Sequence, residues 1–192
     1  MKQTPRGNET LDFEPGHLPL KHLAAIGLMS AAASHTDSII EMAIAGMLGI
    51  DGEQGWAVTA HMPAPLRSSV LRSAAEIVLT DERALNELDI HLEAIKKAAE
   101  ARNEMVHGSW AYRESDGAVL LVKQEARTHV EVSSRPVTVN EIERKALALH
   151  EVGLNLMSFL IAVDKLPSFP RERDRAVNTP KARKARRKKL GK

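Results

Sequence analysis

Arg102, Asn103 and His107 are the residues whose types and spacing point to chemistry. A guanidinium offsets charge on a phosphate, and an imidazole moves protons near neutral pH. A carboxamide beside them can orient either one. Asn103 and His107 stand four apart, so on a helix they share a face. Arg102 and His107 stand five apart, about 140° around a helix at ~100° per residue. That pair can converge only near a helix end or across a seam between two copies.

The element that must position them is a long amphipathic helix ending near His107. Leu85, Leu88, Leu92, Ile95 and Ala99 alternate spacings of three and four, which is one apolar stripe. The next positions on that stripe are Arg102 and Val106. An arginine therefore lands where the pattern asks for a core residue, and it needs an acidic partner or a phosphate. Asp37 and Glu41, on a polar stripe with Ser30 and Ser34 along the first helix, are the candidate partners. The plainer reading of that stripe is a solvated face. Gly108 suits a helix stop, and Trp110 follows it.

The run Arg102, Asn103, three residues, His107 resembles the HEPN superfamily of small helical domains. Its nuclease members carry Arg, a polar residue and, a few positions on, His. The ending Gly108, Ser109, Trp110 looks like the HGxW ending of HEPN-like bacterial proteins. Context rather than spacing carries this resemblance, because Arg144 also precedes a histidine, His150, by six. It is closest over the helix and its flanks, and extends from Leu18 to Lys165 only as a helix order.

The resemblance implies a mainly α fold, a four-helix bundle with a small β-hairpin between its third and fourth helices. It implies a metal-independent endoribonuclease with His107 as general acid or base, Arg102 on the phosphate and Asn103 orienting one of them. It further implies a homodimer, RNA as substrate, and a toxin or defence effector with an antitoxin or regulatory protein as partner. The alternative is a non-catalytic HEPN-like module that binds nucleic acid or protein. In that case Arg102 and His107 serve the helix end, Trp110 and the hairpin seal His107, and the tail makes the nucleic-acid contact.

Composition narrows the field. The chain has 192 residues and no Cys, which excludes disulfides and thiolate chemistry. The eight His show no metal-ligand spacing and there is no phosphate-cradling glycine loop, so neither metal nor cofactor is expected. Two Trp, one Tyr and three Phe leave little for stacking bases, so the core must be aliphatic. The N-terminal residues carry no apolar signal core, and no apolar run of membrane length escapes polar interruption. A soluble cytoplasmic protein with no membrane contact is expected.

Charge is unevenly distributed. Eleven Lys/Arg against two acids give Arg171–Lys192 a net +9, and the overall +2 then leaves about −7 for residues 1–170. Arg183, Lys184, Arg186, Arg187, Lys188 and Lys189 are the expected phosphate-binding cations of this tail.

Along the chain, residues 1–17 read as a flexible arm, 18–167 as the helical domain and 168–192 as a disordered basic tail. Helices are expected from Leu18–Pro19 to Leu48, over Leu66–Leu79, from Thr80 or Asp81 to His107, and from Thr138 to before Pro167. Gly52, Gly55, Pro63 and Pro65 mark Ile50–Pro65 as a break, with Trp56 and Met62 plugging a gap. Two short strands flank Ser115-Asp116-Gly117, with a third piece near Val130–Val132.

Overall fold

Apolar periodicity decides where the long helices form. The computed structural model describes residues 10–126, 130–169 and 180–189. In order, the elements are β1 (Leu11–Asp12), a 3-10 turn (Pro15–His17), α1 (Leu20–Leu48), α2 (Gly52–Thr59), α3 (Ala64–Val78) and α4 (Glu82–His107). There follow β2 (Ser109–Arg113), β3 (Ala118–Ala126), β4 (Val130–Pro136), α5 (Val139–Ala162) and α6 (Pro180–Lys189). The protein is mainly helical, with one small antiparallel sheet.

The four expected helices correspond to α1, α3, α4 and α5. On α4, Leu88 and Ile95 are buried and Leu85, Leu92 and Ala99 are half-buried, so the apolar stripe faces inward. Asp81 starts this helix by accepting the Arg83 N–H at 2.9 Å. At the start of α5, Thr138 Oγ1 accepts the Glu141 N–H at 3.2 Å. This is half of a capping box; the Glu141 carboxylate instead meets Arg135 at 2.9 Å and Lys145 at 3.2 Å.

Three expectations are corrected. The break after α1 contains α2, opened by a full capping box between Asp51 and Gln54. Its glycines signal a breaker, yet they allow close packing: a Cβ on Gly55 would overlap the Cβ of Ala45. Trp56 is not enclosed in a gap: it is 46% exposed, with its ring beside that of Phe169. The hairpin is part of a four-stranded sheet ordered β1-β2-β3-β4. The arm supplies β1, pairing Leu11 with Arg113 and Asp12 with Tyr112, and β4 continues well past Val132. The tail, read as disordered, is helical over Pro180–Lys189. Ala, Lys and Arg are strong helix formers and Pro180 opens the first turn, so local propensity explains it. Residues 1–9, 170–179 and 190–192 lie outside the described residues.

Contacts divide the chain into two units. The first comprises Met1–Ser38 and Glu87–Leu156, the second Ile39–Asn86 and Met157–Lys192. In the first, the sheet and the ends of three helices enclose an aliphatic cluster that includes Met29, Met105, Leu121, Ile142 and Leu149. The buried Thr36 hydroxyl is satisfied by the carbonyls of Ala32 and Leu149, both at 3.0 Å. In the second, Ile44, Met47, Leu71 and Leu160 are buried, and Arg67 pairs with Glu41 at 3.1 Å.

By length and composition, α1 and α5 would each be able to cross a membrane. Both carry polar interruptions, and the same test is passed by core helices of water-soluble proteins.

Candidate functional site

The candidate site sits at the C-terminal end of α4, within the first unit. Here the helix must stop and the chain must turn into β2. The Trp110 indole N–H donates to the Met105 carbonyl at 2.9 Å, capping one of the helix's free acceptors. Gly108 is required for space: a Cβ there would overlap the Glu104 carbonyl and the Leu121 side chain. The close approach of β3 to the helix end thus depends on the glycine that the motif contains.

Between this helix end and β3 lies an open cleft of about 610 Å³. Asn103, Glu104 and His107 line it from the last turns, with Lys97 and Glu100 farther up the helix. Leu121, Val122 and Lys123 line it from β3. His107 is exposed, so its ring is accessible to a ligand in the cleft. Asn103 and His107 therefore share one open site, as their spacing of four predicts.

Arg102 does not line this cleft. It stays on the inward stripe and is half-buried, about 140° around the helix from His107. Its Nε is buried without a hydrogen-bond partner among the described residues. The expected acidic partners are not there. Glu41 pairs with Arg67 instead, and Asp37 makes no ion pair with Arg102 among the described residues. Trp110 supports the site through the helix cap and does not close over His107.

A charge network missed by the sequence reading fixes the cleft wall. Arg135 on β4 reaches Glu104 at 3.0 Å and Glu141 at 2.9 Å, and Lys145 reaches Glu104 at 3.3 Å. Residues from α4, β4 and α5 are thereby tied together next to the cleft. Burial pushes the Glu104 carboxyl up, but the hydrogen bonds and charges of Arg135 and Lys145 outweigh that and hold it below the ordinary glutamate value. Burial likewise opposes the Arg135 charge, and its bonds to Glu104 and Glu141 overcome it, raising its pKa.

A pH dependence follows from Glu104. Its folded value is depressed, so the network stabilises fully at neutral pH and is lost as pH falls through that value. Urea midpoints of wild type and Glu104→Gln should differ at neutral pH and converge below the ordinary glutamate range. A gap that stays constant into acid would reject this assignment.

The cleft's polar wall had a signal in the sequence. Lys97, Glu100, Glu104 and His107 stand at spacings of three, four and three, a second stripe on the helix bearing the apolar one. Lys123 and Arg135 had none, because only pairing of β2, β3 and β4 brings them to this end of α4. Among the described residues, no three His, Cys, Asp or Glu are placed to hold a metal ion. In the tail, Lys184, Arg187, Lys188 and Lys189 are exposed on α6, while the side chains of Arg183 and Arg186 lie outside the described residues. Compared with family models, curated proteins and solved structures, the chain has no match.

Proposed function

We propose that this protein is a metal-independent endoribonuclease of HEPN type, a four-helix bundle acting as a homodimer in the cytoplasm. The observation that carries the reading is an exposed His107 sharing an open cleft with Asn103 at a helix end. The RNA's own 2′-hydroxyl attacks the adjacent phosphorus, its proton passing to one imidazole. The 5′-oxygen leaves with a proton from another, giving a 2′,3′-cyclic phosphate and a free 5′-hydroxyl. Two copies of His107 about a two-fold axis supply the acid and the base. Arg102 of the partner subunit offsets charge on the phosphorane, which removes the difficulty of its angle within one chain. Lys97 and Lys123 place cations at the cleft for the flanking phosphates. A toxin or defence role, held in check by an antitoxin or regulatory protein, accords with such an activity.

The test is cleavage of a labelled RNA panel in EDTA, with the new ends assayed for cyclic phosphate. Cleavage is expected in EDTA; products with 3′-hydroxyl ends would contradict the mechanism.

The second reading is a non-catalytic nucleic-acid-binding or protein-interaction module. The inward placement of Arg102 favours it, since one chain alone does not join Arg102 to the cleft. Binding without cleavage under every buffer would select it.

The ribonuclease and the nucleic-acid-binding readings give the basic tail the same role. Deleting Arg171–Lys192 should weaken RNA binding and flatten the slope of log affinity against log salt, because fewer counterions are released. An unchanged slope would assign the phosphate contacts elsewhere.

A further inference from the structure

We infer that Trp56 and Phe169 form a stacking platform for the bases of single-stranded nucleic acid, acting with the cations of α6. The inference rests on the nucleic-acid part of the reading above and not on cleavage. The two rings lie far apart in the sequence, yet their centroids are 5.8 Å apart with planes inclined at 51°. Trp56 is 46% and Phe169 44% exposed, so nearly half of each faces solvent. A chain with only six aromatic residues has brought two of them together on its surface.

The platform is held in place before any ligand arrives. The Gly52 N–H, at the start of α2, donates to the Ser168 carbonyl at 2.8 Å. Phe169 then lies against the Gly52 backbone so closely that a Cβ there would overlap its ring. Fixing the ring in advance lowers the ordering cost of binding. The acids of this helix are already engaged. Asp51 accepts the Gln54 N–H at 2.9 Å, and Glu53 has its own partner.

What covers the rings is indicated by the chain that follows them. Ten residues separate Phe169 from Pro180, so the two are at most about 40 Å apart along the chain. Beyond it, α6 carries seven Lys/Arg in ten residues. A ligand serving both features presents flat faces and a run of negative charge. A single strand does so; a duplex has the charge but hides its base faces. An apolar protein surface would cover the rings and leave the cations unmatched.

The experiment is fluorescence anisotropy with labelled oligothymidylate of about 12 nucleotides, within the span of single-strand sites. It lacks the 2′-hydroxyl and cannot be cut by the proposed chemistry, so its binding is read whatever becomes of the ribonuclease reading. Trp56→Ala and Phe169→Ala should each bind it about tenfold more weakly, the scale of losing one stacked base, while Trp56→Phe keeps most of the affinity. Affinity for a duplex of equal length should not change, and thermal melts matching wild type show that the variants are folded. Wild-type affinity in both alanine variants would overturn the proposal, as would equal losses on single strand and duplex. A self-association lost in Trp56→Ala would overturn it too, making the pair a contact between copies.

Discussion

His107→Ala is expected to lower RNA cleavage by about two orders of magnitude or more, the scale of removing an acid–base group. The side chain is exposed and at the last position of α4, so the substitution leaves the buried cluster intact and the melting temperature should barely move. Arg102→Ala should cost activity on a similar scale, about that of an oxyanion donor. Its half-buried position means that its stability must be measured alongside. Mixing wild type with His107→Ala separates a shared site from a self-contained one. If the two copies of His107 supply acid and base together, exchange of subunits leaves heterodimers with a single imidazole, and an equal mixture should fall to roughly a quarter of wild-type activity. A mixture that keeps half of the activity after exchange would confine each site to one chain. Two folded variants that cut like wild type would end the catalytic assignment.

Met105→Ala is expected to cost about 2–5 kcal/mol, the range for emptying a buried large side chain. Met105 is fully buried in the aliphatic cluster of the first unit, beside the site. Its carbonyl also receives the Trp110 indole, so cavity formation and loosening of the helix end act together. For a domain of this size the melting temperature should fall by roughly 5–15 °C. Trp110→Phe should cost less, about 1 kcal/mol, since the ring remains and only one hydrogen bond goes. If Met105→Ala melts like wild type, the end of α4 is not anchored by this cluster. These values also bear on the activity measurements, because a variant that loosens the helix end should lose cleavage through displacement of His107 without touching chemistry.

The sequence by itself determined the long helices and the position of the candidate site along one of them. The alternating stripe from Leu85 to Ala99 placed α4 and its inward face, because burial on a helix repeats every 3.6 residues and leaves a local trace. The four-residue spacing of Asn103 and His107 placed them on a common face for the same reason. The capping residues Asp81 and Thr138 were legible because a cap is decided within a few residues.

Tertiary structure decided what depends on residues distant in the chain. Gly52 and Gly55 look like breakers, yet they sit inside α2 because neighbouring chain comes too close for a side chain. The arm pairs with Tyr112 and Arg113 through backbone hydrogen bonds, which leave little mark on side-chain pattern. Glu41 was a reasonable partner for Arg102 by charge, but packing of α3 gave it Arg67. Arg135 reached Glu104 only through the strand register, and Trp56 met Phe169 only because the chain after α5 returns to α2. Pairings of this kind are set by the free energy of the whole packed arrangement. A local window carries periodicity and propensity, and no term in it depends on which distant segment comes to lie alongside.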